Sequence, residues 1–347
     1  MNKKVAIFSD LHLGVHQNSP FWIETSIKWA KWFVEDLKKK NITDVIFCGD
    51  FFHYRDEISL VSLDAANTIL NIFNDIKMHM IPGNHDCYYK QTSEINSLSI
   101  FKGRNNKLVY DKLTVMELPN GKQFVFCPWG TKLEDIPKAD TVFGHFELLN
   151  FNMNIHKICD VGDDINILTP KTSLVFSGHF HLRDEKKIDN TNVVYVGNPF
   201  QTDFNDAYQN KGYYILDTDT LNYEVVFYPD NIQHIKIFLS KLIKLTDLDK
   251  ELRLIVPNNI IKLIIDKNIS TDHLDIIIAK FNNFKPNEIT VDYDINFNKL
   301  KTKEQGDVDL SGVDIPQAIE EFINLLEIKN KKEVVEYTIN LYNRSKT

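Results

Sequence analysis

The sequence has no excess of basic residues, since 40 Lys and Arg stand against 48 Asp and Glu, a formal net charge of -8. This balance argues against a protein that holds nucleic acid by overall positive charge. It does not exclude an enzyme that acts on nucleic acid, because metal-binding carboxylates raise the acidic count and bound cations reverse the local field. The charge therefore excludes one mode of binding and leaves the catalytic classes open.

Long apolar runs are also missing from the sequence. No stretch approaches the roughly 20 consecutive apolar residues that a membrane-spanning helix needs. The start, MNKKVAIFSD, passes directly into a strand-like pattern, without the apolar region or small-residue cleavage site of a signal peptide. Cysteines are few and none has CxxC spacing, so we expect reduced, semi-buried thiols at Cys48, Cys87, Cys127 and Cys159.

The early part of the chain alternates strand-like and helix-like segments. Residues 4–9 and 44–48 are short apolar runs, and the apolar residues between them recur at the spacing of an amphipathic helix. A second helix and a strand over residues 77–81 follow. This order predicts βαβ units. The apolar face of the second helix contains Leu60, Leu63, Ala66, Leu70 and Phe73.

The later part of the chain has strand-like runs in closer succession, at residues 124–128, 141–143, 173–177, 192–196, 213–217 and 223–228. We therefore predict an α/β sandwich over residues 1–230, in which two sheets pack face to face with helices outside. A further alternation over residues 231–300 predicts a small α+β domain. Polar residues 301–313 are typical of a linker, and residues 314–347 predict two short C-terminal helices.

Five short polar motifs each follow an apolar, strand-like run. Ligand sites in α/β folds assemble at the carboxyl ends of strands, so motifs that are distant in sequence can converge on one point. Any one of these motifs is weak evidence, whereas all five in this order are strong evidence for a common site. The motifs are Asp10-Leu11-His12, Gly49-Asp50-Phe51-Phe52-His53, Gly83-Asn84-His85-Asp86, Gly144-His145 and Gly178-His179-Phe180-His181.

The residue types in these motifs point to a metal centre. Two aspartates, four histidines and one asparagine supply oxygen and nitrogen ligands that suit Mn²⁺, Fe²⁺ or Zn²⁺. In an Asp-X-His or His-X-His sequence on an extended chain, both side chains lie on the same face. A lone Asp50 between two such half-sites would bridge two ions, which together favour in-line displacement at phosphorus. The candidate ligands are Asp10, His12, Asp50, Asn84, His145, His179 and His181.

Three further residues are candidates for catalysis rather than for metal binding. His85 follows a candidate ligand, and histidine is the side chain best suited to proton transfer near neutral pH, so this residue could bind a phosphate oxygen or protonate a leaving group. Asp86 could pair with an imidazole nitrogen, or could instead be a helix cap or turn residue. His53 lies three residues after Asp50, and the alternative for it is a packed, non-catalytic histidine.

The motifs DLHLG, GDFFH, GNHD, GHFE and GHFH, in this order, resemble the calcineurin-like metallophosphoesterase superfamily. More narrowly, they resemble the DNA double-strand-break nucleases of the SbcD and "Mre-eleven" type, and within that group the T-even phage branch. The resemblance covers about residues 1–230 and is only architectural beyond them. It implies the two-sheet sandwich of a metallophosphoesterase. It also implies an enzyme that hydrolyses DNA phosphodiester bonds as an exonuclease or endonuclease.

The resemblance also implies which candidate residues bind metal and which act in catalysis. Two divalent ions, Mn²⁺ in first place with Mg²⁺, Fe²⁺ or Zn²⁺ as alternatives, would be held with Asp50 as a shared ligand. His85 would be the catalytic histidine, and His53 would help to position DNA. The other ligands of the first ion would be Asp10, His12 and His181, and those of the second ion Asn84, His145 and His179.

Partners are implied by the same resemblance. They are DNA, a coiled-coil ABC-type ATPase of the SbcC kind, and a second copy of the chain, with no membrane contact. The domain over residues 231–300 would cap the DNA site, and the C-terminal helices would dock on the ATPase, unless they pack on their own chain. The helical face near residues 60–76 could form a dimer interface or a buried core face. We expect a cytoplasmic protein, in the host cytoplasm if its source is a phage.

Three other functions compete with the nuclease. A small-molecule phosphodiesterase or pyrophosphatase of the same superfamily would have the same metal site but no need of a capping domain and docking tail. A protein phosphatase is disfavoured, because GDFFHYR and GNHD stand where those enzymes carry GDxVDRG and GNHE. A degenerate, non-enzymatic scaffold would have lost ligands, and here none is missing.

Overall fold

The computed structural model describes residues 1–294, Pro316, Glu320, Ile323 and residues 330–344. Residues 1–293 form one compact unit, and residues 294–347 form a second. The predicted linker over residues 301–313 and most of the first C-terminal helix lie outside the described residues. Every helix in the described part of the chain is too short or too polar to cross a membrane.

The first sheet contains the early strands of the chain. Its order is β14-β13-β1-β2-β3-β4, in which β1 to β4 run parallel, β13 pairs antiparallel with β1, and β14 pairs antiparallel with β13. The predicted βαβ arrangement is therefore confirmed. The strands are β1 (Lys4–Phe8), β2 (Asp44–Phe47), β3 (Lys77–Met80), β4 (Lys107–Val109), β13 (Gly212–Asp217) and β14 (Tyr223–Phe227).

The second sheet has the order β11-β12-β10-β7-β6-β5, with β6, β7, β10 and β12 parallel and an antiparallel strand at each edge. A short hairpin, β8 (Asn152–Asn154) and β9 (Lys157–Ile158), lies apart from it. The strands of the sheet are β5 (Thr114–Glu117), β6 (Gln123–Cys127), β7 (Thr141–His145), β10 (Leu174–Gly178), β11 (Asp184–Ile188) and β12 (Thr191–Tyr195).

Face-to-face packing of the two sheets is confirmed by a buried apolar layer between them. Ile7 and Ile46 of the first sheet contact a cluster that includes Phe126, Phe143 and Phe176 of the second sheet. Burial of such a layer is the main stabilising contribution to a fold of this kind. The four cysteines are all buried and free, as the sequence predicted, although their burial is more complete than expected.

Helices cover the outer face of the first sheet. A four-residue turn, α1 (Val15–Asn18), contains left-handed residues and precedes α2 (Pro20–Lys39), which has proline at its first position, where no backbone donor is needed. Trp29 and Phe33 of α2 pack on Phe8 of β1, with ring centroids 5.0 Å and 5.3 Å apart respectively. The next helix is α3 (Leu60–Ile72).

The predicted apolar face of α3 divides between core and surface. Ala66, Leu70 and Phe73 are buried, whereas Leu60 and Leu63 are exposed. The sequence left open whether this face was buried or formed a dimer interface, and the exposed leucines are the part that remains accessible. One detail of the predicted sandwich differs, because the outer face of the second sheet is covered by irregular chain, whose buried residues include Phe146 and Leu168, and not by long helices.

The segment after residue 230 is a three-stranded parallel sheet with its own apolar cluster. Residues 234–238 were expected to be helical but form a strand, because Ile235 and Ile237 alternate with polar residues at the strand period. The elements are β15 (His234–Phe238), α4 (Leu239–Leu242), α5 (Leu248–Ile255), β16 (Ile260–Ile265), α6 (Thr271–Asn282) and β17 (Glu288–Tyr293), and α7 (Lys331–Arg344) lies in the second unit.

The aromatic contact between α2 and the first sheet predicts a large stability effect. We expect Phe33→Ala to lower the free energy of unfolding by about 3–5 kcal/mol, because Phe33 is fully buried among aromatic rings. Leu254→Ala on α5, where the side chain is 71% exposed, is the matched control and should change it by less than about 0.5 kcal/mol. Urea unfolding followed by circular dichroism measures both, and equal losses would contradict the packing described.

Candidate metal centre

The seven candidate ligands meet where the two sheets present the carboxyl ends of their central strands. Asp10, Asp50 and Asn84 follow β1, β2 and β3 of the first sheet. His145 is the last residue of β7, and His179 follows β10, in the second sheet. Since the central strands of each sheet run parallel, their carboxyl ends lie at one edge, and the two edges face each other.

The backbone at this junction is held in an uncommon conformation. Asp10, His12, Asp50 and His179 have φ angles of 54°, 46°, 62° and 90°. Asp and His tolerate the left-handed region better than most residues, but such conformations still cost free energy and persist only where the surroundings impose them. Four of the seven candidate ligands therefore stand at strained positions.

The first half-site is formed by Asp10, His12, Asp50 and His181. The Nε2 atoms of His12 and His181 are 2.9 Å apart. Ligand atoms of Asp10, His12 and His181 all lie within 4.8 Å of one another. Asp50 Oδ2 lies 3.6 Å from His12 Nε2. Two imidazole nitrogens and carboxylate oxygens thus point at one position.

The second half-site is formed by Asp50, Asn84, His145 and His179. Asn84 Oδ1 lies 2.9 Å from both His145 Nε2 and His179 Nδ1. Asp50 Oδ2 lies 3.4 Å from His145 Nε2, so the same oxygen that contacts the first half-site contacts the second. Asp50 therefore occupies the position between the two half-sites.

Hydrogen bonds between the two sheets, at the place where their strand ends meet, fix this arrangement. The backbone N–H of His179 donates to Asp10 Oδ1 at 3.1 Å, and His145 Nδ1 lies 2.7 Å from the Cys48 carbonyl oxygen. A Cβ atom at Gly83 would lie 2.2 Å from Asp50 Oδ1, so only glycine lets the chain pass this close to the carboxylate. The two sheets are thus tied together at the site itself.

Burial and charge shift the pKa values of these groups strongly. Burial favours protonation of Asp50, but the charge of His145 outweighs it, so the pKa of Asp50 is lowered. Burial would lower the pKa of His145, yet the Asp50 carboxylate raises it to about 9. Burial and the charge of His181 lower the pKa of His12 well below its usual value. Asp50 is therefore anionic and His12 neutral near pH 7, which are the states that bind a cation, whereas His145 must lose its proton to do so.

The donor set fits a pair of divalent cations. Asp10 and Asp50 are both buried, and burial raises the pKa of Asp10, so two carboxylates can be ionised together here only where cations compensate their charge. The facing nitrogens of His12 and His181 gain a common partner when a cation lies between them. Nitrogen and oxygen ligands in this mixture suit Mn²⁺, Fe²⁺ or Zn²⁺ better than Ca²⁺. Ligand count and chemistry are thus consistent with the sequence expectation.

Asp86 makes different contacts from the imidazole pairing that was expected. Its Oδ2 accepts hydrogen bonds from the backbone N–H groups of Gly83 and Asp50, at 3.0 Å and 2.8 Å, and its Oδ1 accepts from Phe51 and Phe52. The imidazole of His85 is turned to another acceptor, so it does not compete for Asp86. Asp86 therefore anchors the loop that carries Asp50, which agrees with the turn-residue alternative.

His85 and His53 stand together at the open side of the first half-site. His85 Nδ1 lies 2.5 Å from the His53 carbonyl oxygen, which only accepts, so Nδ1 carries the proton and Nε2 is left for another partner. The two rings stack with centroids 5.5 Å apart, and the His85 ring is perpendicular to that of His12. Burial and the nearby charge of His85 lower the pKa of His53 to about 4. The sequence did not reveal this stacking, because it depends on two separate loops.

Sequence reasoning passed over Trp129, which follows β6 as the other site residues follow their strands. Its ring centroid lies 5.2 Å from that of His179 and 6.0 Å from that of His145. The available signal was the strand end FVFCPWG, to which no role was given. The basic residue Lys107, at the start of β4, is buried, and its ammonium group donates hydrogen bonds to the carbonyls of Phe73 and Ile76. It therefore supports the fold and is not available to a phosphate.

Comparison with known proteins agrees with this geometry. Residues 4–221 match the calcineurin-like phosphoesterase superfamily domain. The chain is 32% identical, over 243 residues, to exonuclease subunit 1 of Enterobacteria phage T4, and the matched region covers 66% of this chain and 68% of the relative.

Two solved structures match part of the chain at low structural similarity. An archaeal phosphodiesterase matches with a TM-score of 0.36 and 17% identity, covering 65% of this chain and 99% of that one. A dimetal phosphatase from Danio rerio matches with a TM-score of 0.40 and 10% identity, covering 61% of this chain and 91% of that one. From the domain match and the sequence identity to the T4 subunit, the chain belongs to the calcineurin-like phosphoesterase superfamily.

Proposed function

We propose that this chain is a DNA nuclease that works with two divalent metal ions, Mn²⁺ in preference to Mg²⁺, Fe²⁺ or Zn²⁺, in double-strand-break processing and recombination. The convergence of two half-sites on one Asp50 oxygen is the observation that carries the two-metal assignment. The name of the T4 relative, an exonuclease subunit, supports DNA as the substrate. Exonuclease and endonuclease action would both use this site.

In this proposal Asp10, His12 and His181 hold one ion, Asn84, His145 and His179 hold the other, and Asp50 is shared. Bound ions in such a site stabilise charge on the phosphoryl oxygens and make a water acidic enough to act as the nucleophile near neutral pH. The chain itself supplies the fixed positions, because Asp50 is held by its neighbours on both sides. The phosphodiester would thus be oriented for in-line displacement.

His85 is the proposed general acid. Its Nδ1 is committed to the His53 carbonyl, so Nε2 can hold a proton toward the leaving oxygen. His53 stacks against it and would help to position the DNA strand. Asp86 acts through the Asp50 loop, by accepting its backbone N–H groups, and is a positioning residue rather than one that touches substrate.

Partners belong to the proposal as well. The T4 relative is named as a subunit, which supports a second subunit here, and we propose a coiled-coil ABC-type ATPase of the SbcC kind. Helix α7, with Val334 and Val335 half-buried on one side, is the proposed docking element, and the sheet of residues 234–293 the proposed cap. With a net charge of -8, this chain would leave much of the DNA affinity to the partner.

A homodimer is proposed from the exposed Leu60 and Leu63 of α3.

His85→Ala tests the catalytic assignment. We expect Mn²⁺-dependent degradation of linear duplex DNA to fall about 10²- to 10⁴-fold, because the general acid is lost, while two ions remain bound. His156→Ala, which removes an exposed histidine, is the control. Rates from gel electrophoresis and metal content from inductively coupled plasma mass spectrometry give the two readouts.

The same assay on bis-p-nitrophenyl phosphate separates the nuclease from the small-molecule phosphodiesterase. If wild-type protein turns over the small diester but no DNA, even with the ATPase partner supplied, the DNA assignment is wrong and the small-molecule enzyme replaces it. If His85→Ala cuts DNA at the wild-type rate, the role of His85 is wrong.

Asp50→Asn tests the shared ligand. Asparagine removes the negative charge that both half-sites use, so we expect bound Mn²⁺ to fall from two ions to fewer than one per chain after desalting. Asp56→Asn, an exposed neighbour, should keep both ions. Retention of two ions by Asp50→Asn would show that the half-sites do not depend on this carboxylate.

Leu60→Glu tests the dimer. Leu60 is 83% exposed, and a charge there should weaken a self-contact through α3 by at least about tenfold in dissociation constant. Sedimentation velocity at rising protein concentration measures it, with Leu254→Glu as a matched exposed leucine on α5. A wild-type chain that stays monomeric, or a dimer indifferent to Leu60→Glu, would remove α3 as the interface.

A further inference from the structure

A cavity of about 290 Å³ opens directly beside the second half-site. Its wall includes the ligand His145 and the indole of Trp129, together with the 88–91 loop and the start of the segment after β7. This volume is close to the lower end of small-ligand sites, about 300 Å³. A group bound here would adjoin whatever phosphate lies at the metal centre.

Trp129 is held rigidly in this wall. Its backbone N–H donates to the Pro82 carbonyl at 2.9 Å, and its indole Nε1 donates to the Lys90 carbonyl at 2.8 Å. A Cβ atom at Gly130 would lie 2.4 Å from the Gln91 carbonyl oxygen, so the turn after Trp129 passes tightly against the 88–91 loop. The indole is half-buried, and with its polar atom already bonded it offers the cavity a flat apolar surface.

The charges around the cavity nearly cancel, which suits a neutral group. Two lysines, Lys90 and Lys132, stand together with His145, whose pKa is raised to about 9, against three carboxylates, Glu134, Glu147 and Asp163. Burial and the charges of Glu134 and Glu147 raise the pKa of Asp163, which places these carboxylates within electrostatic reach of one another. Carboxylates accept hydrogen bonds from N–H donors, so a neutral group that carries such donors suits this lining.

We propose that this cavity is a nucleobase subsite, in which a base stacks on Trp129 and its N–H edge faces the carboxylates while its phosphate lies at the metal centre. Every nucleobase has a flat face and at least one N–H donor, so the subsite would tolerate sequence, as base–aromatic contacts do in other proteins. This inference rests on the proposed nuclease function and adds to it the position of the nucleoside. A base can reach the cavity only when it is unstacked from a duplex, which points to frayed ends or single strands.

Inhibition by single nucleotides tests the subsite without requiring DNA cleavage. The inhibition constants of dAMP and of 2-deoxyribose 5-phosphate, which lacks a base, are measured against hydrolysis of bis-p-nitrophenyl phosphate in Mn²⁺. We expect dAMP to bind about 10- to 100-fold more tightly in the wild-type chain, as stacking of one base on an aromatic side chain predicts. Trp129→Ala should close this gap, and Trp129→Phe should keep most of it.

A second measurement avoids both the metal and the activity. Deoxyadenosine, with chelator present, should quench tryptophan fluorescence in the wild-type chain and in Trp32→Phe, which removes another half-buried tryptophan, but not in Trp129→Phe. Equal affinity for dAMP and deoxyribose phosphate in the wild type, or a gap that survives Trp129→Ala, overturns the subsite. A chain that shows the gap but cuts no DNA keeps the subsite and loses the nuclease function.

Discussion

The buried carboxylate of Asp50 is the group on which the rest of the site depends. One of its oxygens lies within 3.6 Å of an imidazole nitrogen from each half-site, and the other accepts the backbone N–H of His85. A charge held this far from solvent is stable only among donors and cations. Asp86 stabilises the position of this carboxylate, because its two oxygens accept hydrogen bonds from backbone N–H groups of the loop that carries Asp50. Strained backbone at Asp50 is tolerated for the same reason.

The two-sheet sandwich explains why such a site can exist. Each sheet contributes ligands from its strand ends, and the aromatic layer between the sheets fixes the distance between those ends. At the site itself, hydrogen bonds between Asp10 and the His179 backbone, and between His145 and the Cys48 carbonyl, join the first sheet to the second. Packing far from the metal centre and polar contacts within it therefore support the same geometry. Trp129 is positioned in the same way as the ligands, since it lies just after the carboxyl end of β6.

Under the proposed nuclease function, an acidic chain acts on a polyanion, and its positive charge must therefore be local. The metal ions would supply that charge at the scissile phosphate. The cavity beside them has cationic and carboxylate groups in equal number, so it suits a neutral nucleobase better than a second phosphate. In the proposed arrangement the phosphate lies toward the cations and the base toward Trp129.

The sequence by itself determined the alternation of early strands and helices, the two-sheet architecture and the candidate ligands, because each motif directly follows a strand-like apolar run. It left open whether the apolar face of α3 was buried, since a helix that is apolar on more than one side has no unique buried face. It misassigned residues 234–238, since a short apolar run fits helix and strand equally. Only the tertiary structure decided that Asp86 binds backbone N–H groups, that His85 and His53 stack, and that Trp129 lines a cavity beside His145. These are contacts between segments distant in the chain, and local periodicity carries no information about which distant loops meet.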